Sequence, residues 1–369
     1  MARIDAFLKL GREQGCSDIH LTIGLPPMVR LDGALTPLKY RELAAEETRA
    51  LLEEILNETQ RKDLELNGSV DLAYFAPGVG RFRINVCLQQ HGLSAVCRVI
   101  ANKIPDLADL GLPDSVPRQA LVNSGLVLVT GAVGTGKTTT LAALINEINS
   151  SRSINIVTLE DPIEFVHENR MSMVMQREVG THVRTFSEGL RSALRQDPDA
   201  ILVGELRDRE TVTLAIEASE TGHLVLGTLH TRGAYQTIHR IVDVFPPEDQ
   251  NQIRHTLADN LKCVVSQELV PVADGRGRRV VTEIMVMTPA IGQLIREGKT
   301  FQIPQAIATG RRLGMHLMDQ DLLRLVRSGD IDPDAAFLLA VDKREFTRFV
   351  TSPELLGLTD PGAGARAAG

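Results

Sequence analysis

The 369-residue chain contains no tryptophan, and aromatic residues make up only 4% of it. Proteins that grip single strands of nucleic acid stack bases on aromatic side chains inside a basic groove. This chain is short of both, because acidic residues outnumber basic ones 47 to 40 and leave a net charge of -7. That balance disfavours a bulk electrostatic hold on DNA or RNA, so no nucleic-acid partner is expected. Cysteine is also scarce. Cys16, Cys87, Cys97 and Cys263 form no C-x-x-C pair, which argues against a zinc ribbon and a thioredoxin-like site and suits a reducing compartment. No apolar run is long enough to span a bilayer. The opening residues carry Asp5 and Lys9, where a signal peptide would be uniformly apolar. A cytoplasmic chain is expected, with any membrane association peripheral and made through a partner.

What remains is an ordinary globular composition, 43% hydrophobic and 24% charged, in a chain long enough for two or three domains. Residues 1–103 read as an α+β domain. Amphipathic helices are expected over 4–14, 44–55 and 59–66, and short strands over 20–23, 28–31, 70–75, 80–88 and 94–99. A stretch rich in proline and acid, 104–118, reads as a linker. From residue 119 to 288 buried apolar strands (126–130, 154–159, 200–203 and 224–228) alternate with helices, the pattern of a parallel sheet with crossover helices. Residues 289–350 read as a helical region, and 351–369, rich in Gly, Ala and Pro, as a disordered tail.

The strongest local signal is Gly131-Ala132-Val133-Gly134-Thr135-Gly136-Lys137-Thr138, followed by Thr139 and an apolar-periodic helix. A strand, a G-x-x-x-x-G-K-T loop and a helix are the context in which backbone N–H groups and a helix N-terminus cradle phosphates. Lys137 is expected on the β/γ oxygens of ATP and Thr138 on Mg²⁺. Two acidic stations follow. Glu205 ends the apolar strand Ala200–Val203 at the position that holds the Mg²⁺ shell. The cluster Glu160-Asp161-Pro162-Ile163-Glu164 ends another strand, and each of its three acids is a candidate to polarise the attacking water. His223 and His230 bracket the strand Leu224–Leu229. His230, at the C-terminal end, lies where it could sense the γ-phosphate by hydrogen bonding, whereas His223 lies at the opposite end. Neither has zinc-type spacing.

Taken together, the Glu160–Glu164 box, Leu202-Val203-Gly204-Glu205-Leu206-Arg207-Asp208 and the box from Thr221 to Thr231 resemble the secretion ATPases, the motors of type II secretion and type IV pili. The resemblance runs from Ser17 to about Val350. Ser17–Pro27, Arg81–Asn85, Val242–Pro246 and Gly314-Met315-His316 are similar to the pilus-retraction branch. The chain begins at the domain that the branches share and has no four-cysteine zinc motif, unlike the assembly branch. The resemblance implies a RecA-like P-loop core behind an N-terminal PAS-like α+β domain, a homohexamer that binds ATP with Mg²⁺, and an inner-membrane platform protein at the pilus base as partner. A paralogous retraction ATPase is a further partner. It also implies Glu164 as catalytic base, Glu205 as the metal-shell acid, His223 and His230 as functional histidines, and Arg81, Arg83 and Arg98 as the arginines that reach the nucleotide. One segment departs from the retraction branch. Where that branch has Ala-Ile-Arg-Asn-Leu-Ile, this chain has Ala290-Ile291-Gly292-Gln293-Leu294-Ile295.

Overall fold

A computed structural model describes residues 2–31, 33–100, 103–275 and 277–356. It divides into two compact units. The first comprises Met1–Ile104 together with Asp161–His167, and the second comprises Pro105–Glu160 with Glu168–Gly369.

In the first unit the elements run α1 (Asp5–Glu13), β1 (Asp18–Leu21), β2 (Met28–Leu31), β3 (Ala34–Pro37), α2 (Ala45–Glu53), α3 (Glu58–Asn67), β4 (Ser69–Ala76), β5 (Gly80–Gln89) and β6 (Gly92–Val99). The strands form one antiparallel sheet in the order β3-β2-β1-β6-β5-β4. Alternation decides its inner face. Phe82, Ile84 and Val86 of β5 are buried while Arg81, Arg83 and Asn85 between them are not, so one face joins Leu8, Leu51, Leu52 and Leu64 of the helices in a single core. α3 is set at both ends. Asn57 and Gln60 form a reciprocal capping box, and Gly68 closes the helix at a positive φ of 74°.

The second unit runs α4 (Ser115–Ala120), β7 (Gly125–Thr130), α5 (Lys137–Ser151), β8 (Asn155–Glu160), β9 (Met173–Glu178), α6 (Phe186–Ala193), β10 (Ala200–Val203), α7 (Arg209–Glu220), β11 (Leu224–Leu229), α8 (Ala234–Asp243), α9 (Pro247–Asn260), β12 (Leu261–Pro271), β13 (Arg278–Val286), α10 (Pro289–Arg296), α11 (Ile303–Thr309), α12 (Met318–Ser328) and α13 (Pro333–Leu339). Seven strands make one sheet in the order β13-β12-β7-β11-β10-β8-β9. All neighbours are parallel except β12 and β13. Every residue of β7, β10 and β11 is buried, as expected of central strands covered by helices on both faces.

The helical region expected to begin at residue 289 is not separate from the core. Ile291 and Ile295 of α10, Ile303 and Ile307 of α11 and Met315 belong to the same buried cluster as β7 and β12. Only from α12 onward is there a distinct cluster, around Leu322, Leu325, Phe337 and Phe346. The expected linker is partly helical, since α4 falls within 104–118 at its start and places Val116 in the sheet core. The expectation of a disordered tail from Thr351 is corrected in part. Asp334 accepts hydrogen bonds from the backbone and hydroxyl groups of Thr351 and Ser352, and Leu355 and Leu356 pack on the last cluster. Residues 357–369 of that tail lie outside the described residues.

Candidate active site around the phosphate-binding loop

The loop 131–136 joins the C-terminal end of β7 to the N-terminus of α5. Gly131, Gly134 and Gly136 all take positive φ, at 144°, 82° and 86°, which residues with a side chain rarely adopt. At Gly131 space is also decisive, because a Cβ there would lie 2.3 Å from the Gln267 carbonyl oxygen and 2.6 Å from Thr135 Oγ1. Thr135 Oγ1 donates to the Ala132 carbonyl at 2.9 Å and ties the loop across itself. The tip is open, with Val133 86% exposed, while Lys137 is buried at the base. Thr138 and Thr139, half-buried, occupy the first turn of α5, where the helix N-terminus adds partial positive charge.

The Lys137 ammonium donates to the carbonyls of Gly131 (2.9 Å) and Ala132 (2.7 Å) and lies 3.4 Å from His230 Nδ1. An ammonium can only donate, so Nδ1 is the acceptor and the imidazole hydrogen sits on Nε2. That nitrogen faces Glu205 Oε1 at 3.1 Å, and Arg207 Nε approaches the same oxygen at 2.6 Å. Burial pushes the Lys137 pKa down, against the raising influence of Glu205 and Glu268. Burial pushes the Glu205 carboxyl up, but Arg207 and His230 together outweigh it and hold the carboxyl below its ordinary value. The result is an ionised acid joined through one histidine to the loop lysine.

Local backbone contacts set this geometry. β10 lies between β11 and β8. At its end Gly204 N–H donates to the Leu159 carbonyl at 2.7 Å and Leu206 N–H to the Thr228 carbonyl at 3.0 Å, so the turn carrying Glu205 is held from both sides. Gly204 is close to its neighbour: a Cβ would sit 3.0 Å from the Leu159 oxygen. Asp208, in the same motif, accepts from Thr211 N–H and caps α7, which is a structural task.

The acidic box is divided. Glu160 is buried at the end of β8, accepting from Thr158 Oγ1 (2.6 Å) and Gln176 Nε2 (3.0 Å). Asp161 and Glu164 fall in the segment that belongs to the first unit, Glu164 half-buried and Asp161 exposed. The histidines are divided too. β11 runs parallel to β7 with Leu224 opposite Gly125 and Leu229 opposite Thr130. His230 therefore stands beside the loop, and His223 stands about 23 Å away at the other strand end, at roughly 3.3 Å per residue. His223 Nδ1 lies 3.0 Å from the Ala218 carbonyl and 3.3 Å from Thr221 Oγ1, an arrangement that locks the α7–β11 turn.

The three arginines sit on the first unit's sheet. Arg83 and Arg98 are cross-strand partners. Arg98 Nε meets Asp18 Oδ1 at 3.0 Å, and Arg83 lies 3.9 Å from Asp71. Arg81 Nε is buried without a hydrogen-bond partner.

Three residues near the loop were not anticipated from the sequence: Arg207, Gln267 and Glu268. Arg207 lies inside a motif already singled out. Gln267 and Glu268 follow Ser266 between the apolar stretches 263–265 and 269–270 of β12, and such polar residues in a largely buried strand are a readable signal. Glu268 Oε1 lies 3.2 Å from Arg232 Nε. Burial pushes the Cys97 and Cys263 thiols up to about 12, so neither supplies a thiolate. The residues that would hold ATP and Mg²⁺ fit them: positive-φ glycines, a helix N-terminus, a hydroxyl at Thr138 and an ionised carboxylate at Glu205.

Known proteins share this fold. The chain is 48% identical to the type IV pilus retraction ATPase PilT of Pseudomonas aeruginosa over 90% of its own length and 96% of that protein. It is 40% identical to the type IV pilus ATPase PilU of the same organism, over 89% of this chain and 86% of that one. A crystal structure of the pilus retraction motor PilT with bound ADP superposes with a TM-score of 0.88 at 44% identity, over 94% of this chain and 100% of that one. The fold is accordingly α/β, a P-loop core with an N-terminal domain. The family model described as Type II/IV secretion system protein matches residues 67–330, and with these relatives it establishes that the chain belongs to the type II/IV secretion ATPase family.

Proposed function

We propose that this chain hydrolyses ATP as one subunit of a hexameric motor that drives type IV pilus retraction. The observation that carries the enzymatic part is the continuous set in which Lys137, at the start of α5, is joined through His230 to Glu205, the last two just past the ends of the adjacent parallel strands β11 and β10. Lys137 exchanges its loop carbonyls for phosphate oxygens. Glu164 accepts the proton of the attacking water, and Arg81, Arg83 and Arg98 supply positive charge to the transferring phosphoryl group. Thr138 and Glu205 would hold Mg²⁺, which when bound neutralises charge on the β- and γ-phosphates. His230 senses which partner Lys137 has taken, while His223 serves the fold. The retraction role draws on the likeness to PilT. It implies a peripheral place at the cytoplasmic side of the inner membrane, on a platform protein.

Turnover tests the chemistry. Lys137→Ala should abolish hydrolysis. Glu164→Gln should lower kcat by about 10²–10⁴, the share usual for a general base, with nucleotide binding kept. Normal turnover in Glu164→Gln, with loss in Glu160→Gln instead, would move the base to Glu160. A second reading, an accessory motor of the PilU kind, is favoured by the Gly292-Gln293 departure. Retraction in a strain carrying this ATPase as its sole retraction motor supports the first reading, and retraction only with a paralogue present supports the second.

A further inference from the structure

Gln267 is wholly buried, yet its side chain is an amide with two donors and a carbonyl. Burying such a group without partners is strongly unfavourable, and both ends are in fact engaged by the phosphate loop and its helix. Nε2 donates to the Thr135 carbonyl at 2.6 Å. Oε1 accepts from Thr140 Oγ1, on the first turn of α5, at 2.9 Å. The residue sits one position beyond Ser266, which pairs with Thr130 at the end of β7, so Gln267 is level with Gly131, where the loop begins. Its backbone carbonyl is the atom that a Cβ on Gly131 would meet at 2.3 Å, and its Nε2 is the atom that a Cβ on Gly136 would meet at 3.3 Å. One side chain and its carbonyl thus touch the loop at its first residue and at both residues before Lys137.

The peptide between Thr135 and Gly136 is a planar trans unit, so its C=O and N–H point in opposite directions. Holding the Thr135 oxygen on Gln267 turns the Gly136 N–H the other way, toward the side on which a loop of this kind presents amides to phosphate. We propose that Gln267 is a positioning residue for nucleotide binding: it fixes the orientation of the 135–136 peptide and so aims the Gly136 amide at the bound phosphate chain. This inference rests on the reading of the loop as a nucleotide site. It adds a residue, on a strand outside the P-loop motif, through which β12 sets the affinity of that site.

The test uses the full-length chain and ADP as probe. Gln267→Met keeps the shape and removes both polar ends. It should lower the melting temperature of the protein by a few degrees at most, since the Thr135 carbonyl and Thr140 hydroxyl lose their partner, and also weaken ADP binding at 25 °C, where the variant is still folded, by about tenfold, the share of one lost oriented hydrogen bond. In hydrogen exchange, the ADP-induced protection of the loop peptide spanning Gly136 should disappear. A residue that served only the fold would lower the melting temperature and leave ADP affinity at 25 °C unchanged, and that result would overturn the proposal. Should Gln267→Met fail to fold, Thr140→Ser and Thr140→Val read the same bridge. Weaker ADP binding in the valine variant alone supports the proposal, and equal binding in both overturns it. Parent protein and Lys137→Ala are run alongside. If the parent binds no ADP, the nucleotide reading fails and the proposal with it. If the parent binds, Lys137→Ala does not and Gln267→Met binds like the parent, only the proposal falls.

Discussion

His316 bridges to Ile284 of β13, with Nε2 2.9 Å from Thr282 Oγ1 and 4.0 Å from Asp321. Burial pushes its pKa below the ordinary 6.5; Asp321 opposes that, and Arg324 and Arg311 reinforce it. Between the folded pKa and 6.5 the unfolded chain binds more protons at this residue than the folded chain. Its contribution to stability is therefore complete above about pH 6.5 and is lost as pH falls below it. The melting temperature should drop between pH 7 and pH 5.5, and by less in His316→Gln. Equal drops in both proteins would assign the loss elsewhere. The acids held lowest, Asp334 and Asp342 at about 2, titrate well below this window. His316 was visible in the sequence only as part of Gly314-Met315-His316, because what sets its behaviour is burial against β13. The same lesson holds for the two box histidines. Spacing marks His223 and His230 equally, and only the parallel register with β7 tells them apart.

Most of the elements that were legible are ones on which burial imposes a period. β7, β8, β10 and β11 were anticipated from apolar runs, and β4, β5 and β6 from alternation. β3 and β9 were not. All four residues of β3 are exposed, and β9 is exposed at Met173 and Met175; each exists through pairing with one neighbour, which leaves no hydrophobic signature. α10 carries the departure at Gly292-Gln293 and remains a helix, capped by Thr288 on Ile291 N–H and with Gln293 Nε2 bonded to Glu297 at 2.5 Å. A Cβ at Gly292 would meet Arg296 Nη1 at 3.5 Å and the Ala258 oxygen and Cβ at 3.6 and 3.9 Å, all ordinary contacts. Gly292→Ala should therefore stabilise the protein by about 0.5–1 kcal/mol, the helix-propensity difference. The urea midpoint should rise with an unchanged slope. A lower midpoint would show that the α9–α10 contact has no room for a methyl group.

At the scale of the molecule, linker composition drew attention to 104–118, and the break between units falls between Ile104 and Pro105. Nothing in the sequence hinted that 161–167 groups with the first unit, since membership there is set by packing and not by prolines or charge. The seven residues bring buried Ile163 and Phe165 with them. The hydrophobic cluster of the first unit is nevertheless complete within residues 1–104. A fragment of residues 1–104 should melt cooperatively, whereas residues 105–369 should expose Ile163 and Phe165 and bind a hydrophobic dye, less so when both are changed to serine. Equal dye binding with and without the serines would remove these two side chains as the cause. Lys137 carries a different consequence. All three of its hydrogens have partners, two in its own loop and one on His230. A phosphate that takes this lysine must therefore displace bonds already made, so its affinity reports the difference between two sets of partners and not the capture of a bare charge.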